Sequence, residues 1–417
     1  MRADTGWEKT ESLDTGTGID FTREIPASGF SERWCIVMLQ NELCAIDLFS
    51  GCGGVTAGLK KAGIKVLAAV EINETAAATY RENNKEVALL QRDIREVSGE
   101  ELKEVSGMSA SEQLLLVACP PCQGFSAIRR GGENDERNQL VFEFLRLVKE
   151  LRPAFILMEN VAGMSRGKGR ETFRSAYQEF EKYYKCKYDV LNAADYGVPQ
   201  TRKRLVLHGI RNDLYEMWKE KGVEIRLPRP THISAGKKKK DCSLPVWKTA
   251  DVILGLPEIE AGGEYTGEGV YNHVCNSMND INIKRIRYIR EHGGNRACLP
   301  QELALECHKG KSGHTDVYGI LDMKKPAPTI TGGCMYYSKG RYGHPYQNRA
   351  LSAREAARLQ SFDDDYIFQG TNAQIALQIG NAVPVELAKA SGLYFAEMFR
   401  VMKSNLNKST DCGVNNG

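Results

Sequence analysis

The sequence predicts an α/β protein built around an open sheet, and two features of its first half indicate this class. Apolar runs of strand length alternate there with segments of helical periodicity. The first run, 43–49 (LCAIDLF), is followed by the glycine-rich turn SGCGG and by a short helix, about Val55 to Lys61. A strand, a glycine turn and a helix form the first unit of a nucleotide-type fold, which binds its ligands at the carboxyl ends of the strands.

The composition is that of a soluble globular protein. The 417 residues leave room for two domains, and 42% of them are hydrophobic and 26% charged. A net charge of +3 does not by itself indicate a nucleic-acid partner. The twelve cysteines show no framework spacing and we find no signal peptide, so we expect a cytoplasmic protein. No apolar run approaches the roughly 20 residues of a membrane helix.

The glycine turn favours a cofactor that carries no phosphate. Its pattern, Phe49, Gly51 and Gly53, lacks the last glycine of the dinucleotide fingerprint. A pyrophosphate cradle is therefore less favoured than a ligand whose carboxylate meets the helix amino terminus. An ordinary tight turn is the alternative interpretation.

Acidic residues end the next two predicted strands. Glu71 follows the strand Lys65 to Val70, about 20 residues beyond the glycines, where an acid binds ribose hydroxyls. Asp93 follows a strand at about 87–90, and its carboxylate is suited to an adenine amino group. Each acid could instead be a solvated strand end, but the two together favour an adenosine ligand such as S-adenosylmethionine. We include the next residues, Ile72 and Ile94, in this predicted cofactor site.

Cys122 is the candidate nucleophile. It follows the apolar strand Leu114 to Ala118 and the pair Pro120–Pro121, which forces a stiff turn at the carboxyl edge of the sheet. Cys119 and Cys122 also form a CxxC pair, typical of a redox dithiol or half of a zinc site, and a structural cysteine is a third interpretation. Zinc would need about two more ligands nearby, and none follows, so we predict no metal site.

Further polar groups follow later strands. Glu159 ends the strand 155–158, where an apolar rim can raise its pKa and make it an acid. The segment 124–138 is either an active-site lid or an ordinary surface loop. Arg202 and Arg204, in a predicted hairpin, share one strand face, which is either solvated or a clamp for a phosphate or a base carbonyl.

The alternation of strand and helix patterns is lost from about 212 to 323, and we interpret this part as a separate recognition region. Its lysine run, 237–240, is a solvated loop or a phosphate contact. Ser352 and Glu355 predict a helix with a capping box. A last helix is predicted at 385–399, preceded by Asn381, which could reach back to the cofactor.

Seven stretches in one order resemble the DNA cytosine-5 methyltransferases, over roughly Cys44 to Met402. They are DLFSGCGG at Asp47, the acidic strand end at Glu71, PPCQGFS at Pro120, ENV at Glu159, QTRKR at Gln200, REAARLQSF at Arg354 and GNAVP at Gly380. Two departures are visible: Cys119 stands where many members have glycine, and SFDDDY replaces the commoner SFPDxY.

The resemblance implies a Rossmann-like S-adenosylmethionine-dependent methyltransferase fold with an inserted, smaller target-recognition domain. The implied divisions are a poorly ordered extension (1–41), a catalytic domain (42–211 and 375–403), the target-recognition domain (212–348), a hinge segment (349–374) and a disordered tail (404–417).

It also implies roles by position. Cys122 matches the nucleophile, Glu159 the residue that engages cytosine ring nitrogen 3, and Arg202 and Arg204 the pair near the flipped base. The family's cofactor contacts are matched by Glu71, Asp93 and Asn381, and also by the residues of the glycine turn (Phe49, Gly51 and Gly53). We expect a monomeric enzyme that methylates cytosine carbon 5 at a specific sequence in double-stranded DNA. The setting would be a prokaryotic restriction–modification or orphan system, with a cognate endonuclease as a candidate partner.

Two alternatives stay open at this stage. One is a tRNA cytosine-5 methyltransferase of the same family, and the other is a binding module that holds cofactor and DNA without turnover. The intact PCQ and ENV stretches argue against the second.

Overall fold

The structure is a computed structural model that describes residues 42–108, 111–121, 139–166, 169–221, 223–237, 243–293, 295–305 and 316–411. The amino-terminal extension 1–41, Cys122, the proposed lid 124–138 and most of the lysine run 237–240 lie outside the described residues. The same holds for 412–417, the end of the expected tail.

A seven-stranded sheet with strand order β3-β2-β1-β4-β5-β7-β6 forms the centre of the fold. The first five positions are parallel, whereas β7 runs antiparallel to both β5 and β6. The strands are β1 (Cys44–Leu48), β2 (Lys65–Val70), β3 (Ala88–Leu90), β4 (Leu114–Ala118), β5 (Phe155–Val161), β6 (Tyr184–Asn192) and β7 (Lys203–Arg211). The predicted α/β class and the hairpin before residue 212 are therefore confirmed.

Eleven α-helices lie in the described part of the chain. They are α1 (Gly54–Lys61), α2 (Glu74–Asn83), α3 (Gly99–Ser106), α4 (Leu140–Leu151), α5 (Gly163–Arg166), α6 (Arg170–Glu181), α7 (Asn212–Trp218), α8 (Asp280–His292), α9 (Ala353–Leu359), α10 (Asn372–Asn381) and α11 (Val385–Asp411). The predicted capping box of α9 is present, since Ser352 Oγ accepts from Glu355 N while the Glu355 carboxylate accepts from Ser352 N.

The core lies on both faces of the sheet. Every residue of β1 and β4 is buried, which explains their continuous apolar runs, because helices cover both faces of a parallel sheet. The last helix, α11, packs closely on the first, α1. A Cβ at Gly58 would lie 2.5 Å from the Val385 carbonyl oxygen and 2.6 Å from the Ala388 Cβ. The last helix of the described chain is therefore in direct contact with the helix that follows β1.

Residues 212–348, called here the region after β7, contribute no strand to the sheet within the described part of the chain. This region contains α7, α8 and irregular chain. This agrees with the sequence, in which the alternation of strand and helix patterns is lost after about residue 212. One boundary is corrected: α11 continues to Asp411, so residues 404–411 of the expected disordered tail are helical. No described helix is both long and apolar enough to cross a membrane. The division into catalytic, recognition and hinge parts stays a prediction.

Candidate active site

The glycine-rich turn after β1 is built from left-handed backbone. Phe49, Gly51 and Gly53 have φ angles of 57°, 55° and 89°, a region that L side chains rarely adopt. A Cβ at Gly53 would lie 2.5 Å from the Tyr366 hydroxyl oxygen, whereas a Cβ at Gly51 would meet nothing within 4 Å. The turn is therefore packed tightly on one side and open to a ligand on the other.

Glu71 is bound to this turn through the backbone. Its Oε2 accepts a hydrogen bond from Gly51 N, and its Oε1 accepts one from Asn73 N, both at 2.7 Å. Burial raises the pKa of Glu71, although these bonds oppose the rise. The next side chain, Ile72, is 63% exposed. A fixed carboxylate such as Glu71 is suited to ribose hydroxyls, and an exposed aliphatic side chain such as Ile72 is suited to an adenine ring.

Asp93 lies after β3, at the next strand end in the sheet. It accepts from Arg95 N at 3.0 Å and forms an ion pair with the Arg95 guanidinium at 2.6 Å. Its hydrogen bond with Arg95 lowers the pKa of Asp93, so the carboxylate stays ionised and able to accept from an amino group. Ile94 is 4% exposed, so its side chain belongs to the core.

Glu159 is a buried acid on the same edge. It lies inside β5, opposite Val206 of β7, because the strand continues three residues beyond its expected end at Met158. Its Oε1 lies 3.0 Å from Nε of Arg204, yet accepts no hydrogen bond of normal geometry from a described residue. Burial raises the pKa of Glu159, and the nearby Arg204 and Arg202 charges only partly oppose this. The acid therefore holds its proton to higher pH than an ordinary carboxyl group.

A small apolar cavity adjoins Glu159. Cys119, Leu157 and Val206 are among its lining side chains. Burial also raises the pKa of the Cys119 thiol well above its usual range, so this sulfur is neutral. The low-polarity surroundings explain why burial dominates the pKa of the acid.

The two arginines of QTRKR have different contacts. Arg202 is 1% exposed; its Nη1 donates to Ile330 O at 2.7 Å, and its Nη2 donates to Gly380 O at 2.8 Å and Ala382 O at 3.1 Å. Arg204 instead lies beside Glu159. The described contacts of Arg202 are thus with the protein, and a contact with the base stays a prediction. Asn381, also predicted at the cofactor, is exposed and ends α10 next to Gly380.

The chain that leads to Cys122 is tied to the strand that carries Glu159. Asn160 Nδ2 donates to Pro120 O at 2.9 Å, and Cys119 N donates to Leu48 O at 3.3 Å. Asn160 thus links Pro120 to β5, a contact that we did not predict from the sequence. Its signal was its place in the ENV stretch.

Asp47 was also missed, because an acid inside an apolar run carries no separate signal. It is fully buried below the glycine turn, and its Oδ2 accepts from the Thr56 hydroxyl at 2.7 Å. Burial raises the pKa of Asp47 to about 7.

The residues present fit S-adenosylmethionine. Glu71, the open face at Gly51, exposed Ile72 and ionised Asp93 lie at successive strand ends, and none of them forms a phosphate cradle. No group of three His, Cys, Asp or Glu side chains in the described chain is arranged to hold a metal ion.

The sheet order, the glycine turn and the acidic strand ends define a Rossmann-like methyltransferase. The family model for C-5 cytosine-specific DNA methylases matches residues 43–393. The chain therefore belongs to this family, and it is a DNA cytosine-5 methyltransferase.

Relatives and solved structures agree. Type II methylase M.HgiDII of Herpetosiphon aurantiacus is 37% identical over 82% of this chain and 92% of its own length. Type II methyltransferase M1.HphI of Haemophilus parahaemolyticus is 35% identical, with 88% of each chain covered. A structure described as a DNA modification methyltransferase from an E. coli prophage aligns with TM-score 0.64 and 25% identity, covering 85% of this chain and 99% of the other.

Proposed function

We propose that this enzyme methylates carbon 5 of cytosine at a specific sequence in double-stranded DNA, with S-adenosylmethionine as donor, in a restriction–modification or orphan system. The observation that carries the mechanism is the buried Glu159, whose pKa is raised by burial, beside Arg204 and on the strand that anchors the segment entering Cys122. Relatives named as type II methyltransferases support DNA as the substrate and a restriction–modification setting.

The residue types match the chemistry of the base. Cytosine carbon 5 is a poor nucleophile until a thiolate adds to carbon 6. In the proposed reaction the Cys122 sulfur forms a bond to carbon 6, and the displaced electron pair moves into the ring. Glu159 donates its proton to ring nitrogen 3, which neutralises the charge that develops there. Carbon 5 then carries enamine electron density.

The later steps restore the aromatic ring. S-adenosylmethionine, held by the glycine turn, Glu71 and Asp93, supplies an electrophilic methyl group when bound. Once carbon 5 bears the methyl group, a base removes the carbon 5 proton, the electrons of that C–H bond re-form the double bond, and the bond from carbon 6 to Cys122 breaks with its electron pair returning to sulfur. Ring nitrogen 3 returns its proton to the Glu159 carboxylate. Arg204 orients Glu159 and faces the base carbonyl oxygen.

The base must leave the duplex for this reaction. A stacked cytosine exposes neither face to a thiol, so the target nucleotide is extruded at a cost of about a few kcal/mol. Contacts from the region after β7 offset that cost and select the sequence. We further propose a monomeric, cytoplasmic enzyme whose candidate partner is a cognate endonuclease.

A mechanism-based trap tests the proposal. Fluorine on carbon 5 cannot leave as a proton does, so duplex DNA containing 5-fluorocytosine should retain the covalent adduct. With S-adenosylmethionine and the target sequence, identified by bisulfite-type sequencing of host DNA, the wild-type protein should form a crosslink that mass spectrometry maps to Cys122.

Two variants make the trap decisive. Cys122→Ser should lose methylation and the crosslink while it still binds DNA, whereas Cys119→Ala, which removes the neighbouring thiol, should keep both. Absence of a Cys122 crosslink under turnover conditions would refute the covalent mechanism. Methylated cytosine in tRNA but not in DNA would refute the DNA substrate.

A further inference from the structure

The loop between α9 and α10, residues 360–371, touches both the cofactor turn and the region after β7. Tyr366, at its centre, donates a hydrogen bond from its hydroxyl to the Cys52 carbonyl oxygen of the glycine turn. Burial raises the pKa of Tyr366 well above its usual range, so the hydroxyl stays protonated and remains a donor. This loop holds the departure SFDDDY, to which the proposed reaction assigns no role.

The hydroxyl of Tyr366 fixes one peptide plane of the turn. The Cys52 carbonyl shares its plane with Gly53 N, which donates to Ser50 O at 2.9 Å. A Cβ at Gly53 would lie 2.5 Å from the same hydroxyl oxygen. The absence of a side chain at Gly53 therefore makes room for Tyr366, and Tyr366 in turn holds the turn in its left-handed conformation.

The same loop is fixed to α2, the helix that follows Glu71 and Ile72. Asn83 forms a pair of hydrogen bonds with the backbone of Ile367: its Nδ2 donates to the carbonyl at 2.7 Å and its Oδ1 accepts from N–H at 2.9 Å. Gln369 N also donates to Thr79 Oγ1 at 2.8 Å. The loop is thus attached to the glycine turn and to the helix that directly follows Glu71 and Ile72, two parts of the predicted cofactor site.

On its other side the loop binds residues 271–273. Asn272 Nδ2 donates to Phe368 O at 2.9 Å, and Phe368 N donates to Asn272 Oδ1 at 2.8 Å. The Arg354 guanidinium donates to Tyr271 O at 2.6 Å and also to Tyr366 O. One side chain, Arg354, therefore holds Tyr366 and the region after β7 together.

We propose that Tyr366 is a positioning residue for the cofactor turn, and that the α9–α10 loop couples cofactor binding to the docking of residues 271–273. Each event orders the hydrogen bonds that the other uses, so each stabilises the other by the same factor. This inference rests on the proposed cofactor, S-adenosylmethionine. It adds a link between that cofactor site and the predicted recognition region.

The first test removes only the hydroxyl. In Tyr366→Phe, the affinity for S-adenosylmethionine and S-adenosylhomocysteine, measured by calorimetry, should fall about 3- to 10-fold, the range expected for one buried hydrogen bond. The matched control is Tyr184→Phe, because the Tyr184 hydroxyl also donates to a backbone carbonyl, Pro153 O at 2.7 Å, on the far edge of the sheet. The control should bind both ligands within about twofold of wild type.

The second test measures the coupling. S-adenosylhomocysteine should slow hydrogen exchange of the peptide 271–275 in the wild-type protein, and Tyr366→Phe should abolish that change. Asn272→Gly cuts the other end of the link and keeps the backbone relaxed, since Asn272 has a φ of 56°. Its effect on cofactor affinity should be smaller in the Tyr366→Phe background than alone, because the two changes break one connection.

The outcomes separate the two proposals. If the wild-type protein binds neither ligand, the proposed cofactor is wrong. If it binds them but Tyr366→Phe and Tyr184→Phe behave alike, or if exchange at 271–275 does not respond to the ligand, the coupling is refuted while the proposed function stands.

Discussion

Replacing Glu159 with glutamine keeps the shape of the side chain and removes its transferable proton. The amide can still form a hydrogen bond to ring nitrogen 3, but it cannot transfer a proton there as the adduct forms. General acid catalysis by a positioned group contributes about 10²–10⁴-fold to a rate. We therefore expect kcat of Glu159→Gln to fall by roughly 10²- to 10⁴-fold, with the affinity for S-adenosylhomocysteine unchanged.

The same substitution should cost some stability. Removing one partner of a fully buried ion pair typically costs about 3–5 kcal/mol, because the other charge is left without a partner. The Arg204 side chain is 14% exposed and 3.0 Å from Glu159 Oε1, so water and the glutamine oxygen can replace part of the lost interaction. We therefore expect the substitution to lower the free energy of unfolding by about 1–3 kcal/mol.

The assay is methyl transfer from labelled S-adenosylmethionine to target duplex under single-turnover conditions, with thermal unfolding measured in parallel. Glu143→Gln is the matched control, since Glu143 pairs with Arg146 at 2.9 Å on α4, where both side chains are about 30% exposed. This control should lose at most about 1 kcal/mol and methylate normally. A folded Glu159→Gln protein that methylates within twofold of wild type would refute the acid role.

The pH dependence gives an independent check. Because burial raises the pKa of Glu159 in the folded protein, the protonated fraction declines as the pH rises through that raised value, and the methylation rate should decline with it. Proton binding by the folded state is stabilising below the ordinary carboxyl pKa and is lost as the pH rises through the folded one. The methylation rate of Glu159→Gln should therefore show no decline as the pH rises through this range. If the decline persists in that variant, a group other than Glu159 causes it.

Two further predictions concern the surroundings of the site. Asn160→Ala removes the hydrogen bond to Pro120 O, so the single-turnover rate should fall about 10-fold while calorimetry shows unchanged affinity for S-adenosylhomocysteine; an unchanged rate would remove its positioning role. Deletion of Met1 to Met38 should leave methylation intact in the same assay, and an inactive truncation would show that the extension is a structural part of the enzyme.

The sequence predicted most accurately the elements whose ends are marked by a polar residue or a proline. The bounds of β2 and β4 are as expected, because Glu71 directly follows the first apolar run and the pair Pro120–Pro121 closely follows the second. The extent of β5 was wrong, because its hydrophobic pattern stops before Glu159 while its backbone pairing with β7 continues to Val161. Backbone hydrogen bonds do not depend on side-chain polarity, so a polar strand end looks like a loop in the sequence.

The buried polar contacts around QTRKR show why the rest of the site could not be predicted. Gln200 and Arg202 reach acceptors about 128 to 180 residues away in the chain, and most of these acceptors are backbone carbonyls. Every residue carries such a carbonyl, so no letter of the sequence marks which one is used. The charge of Arg202 suggested a phosphate or a base as its partner. The described partners of Arg202 are backbone carbonyls instead, because a guanidinium taken out of water must find hydrogen-bond acceptors, and the carbonyls of Ile330, Gly380 and Ala382 supply them.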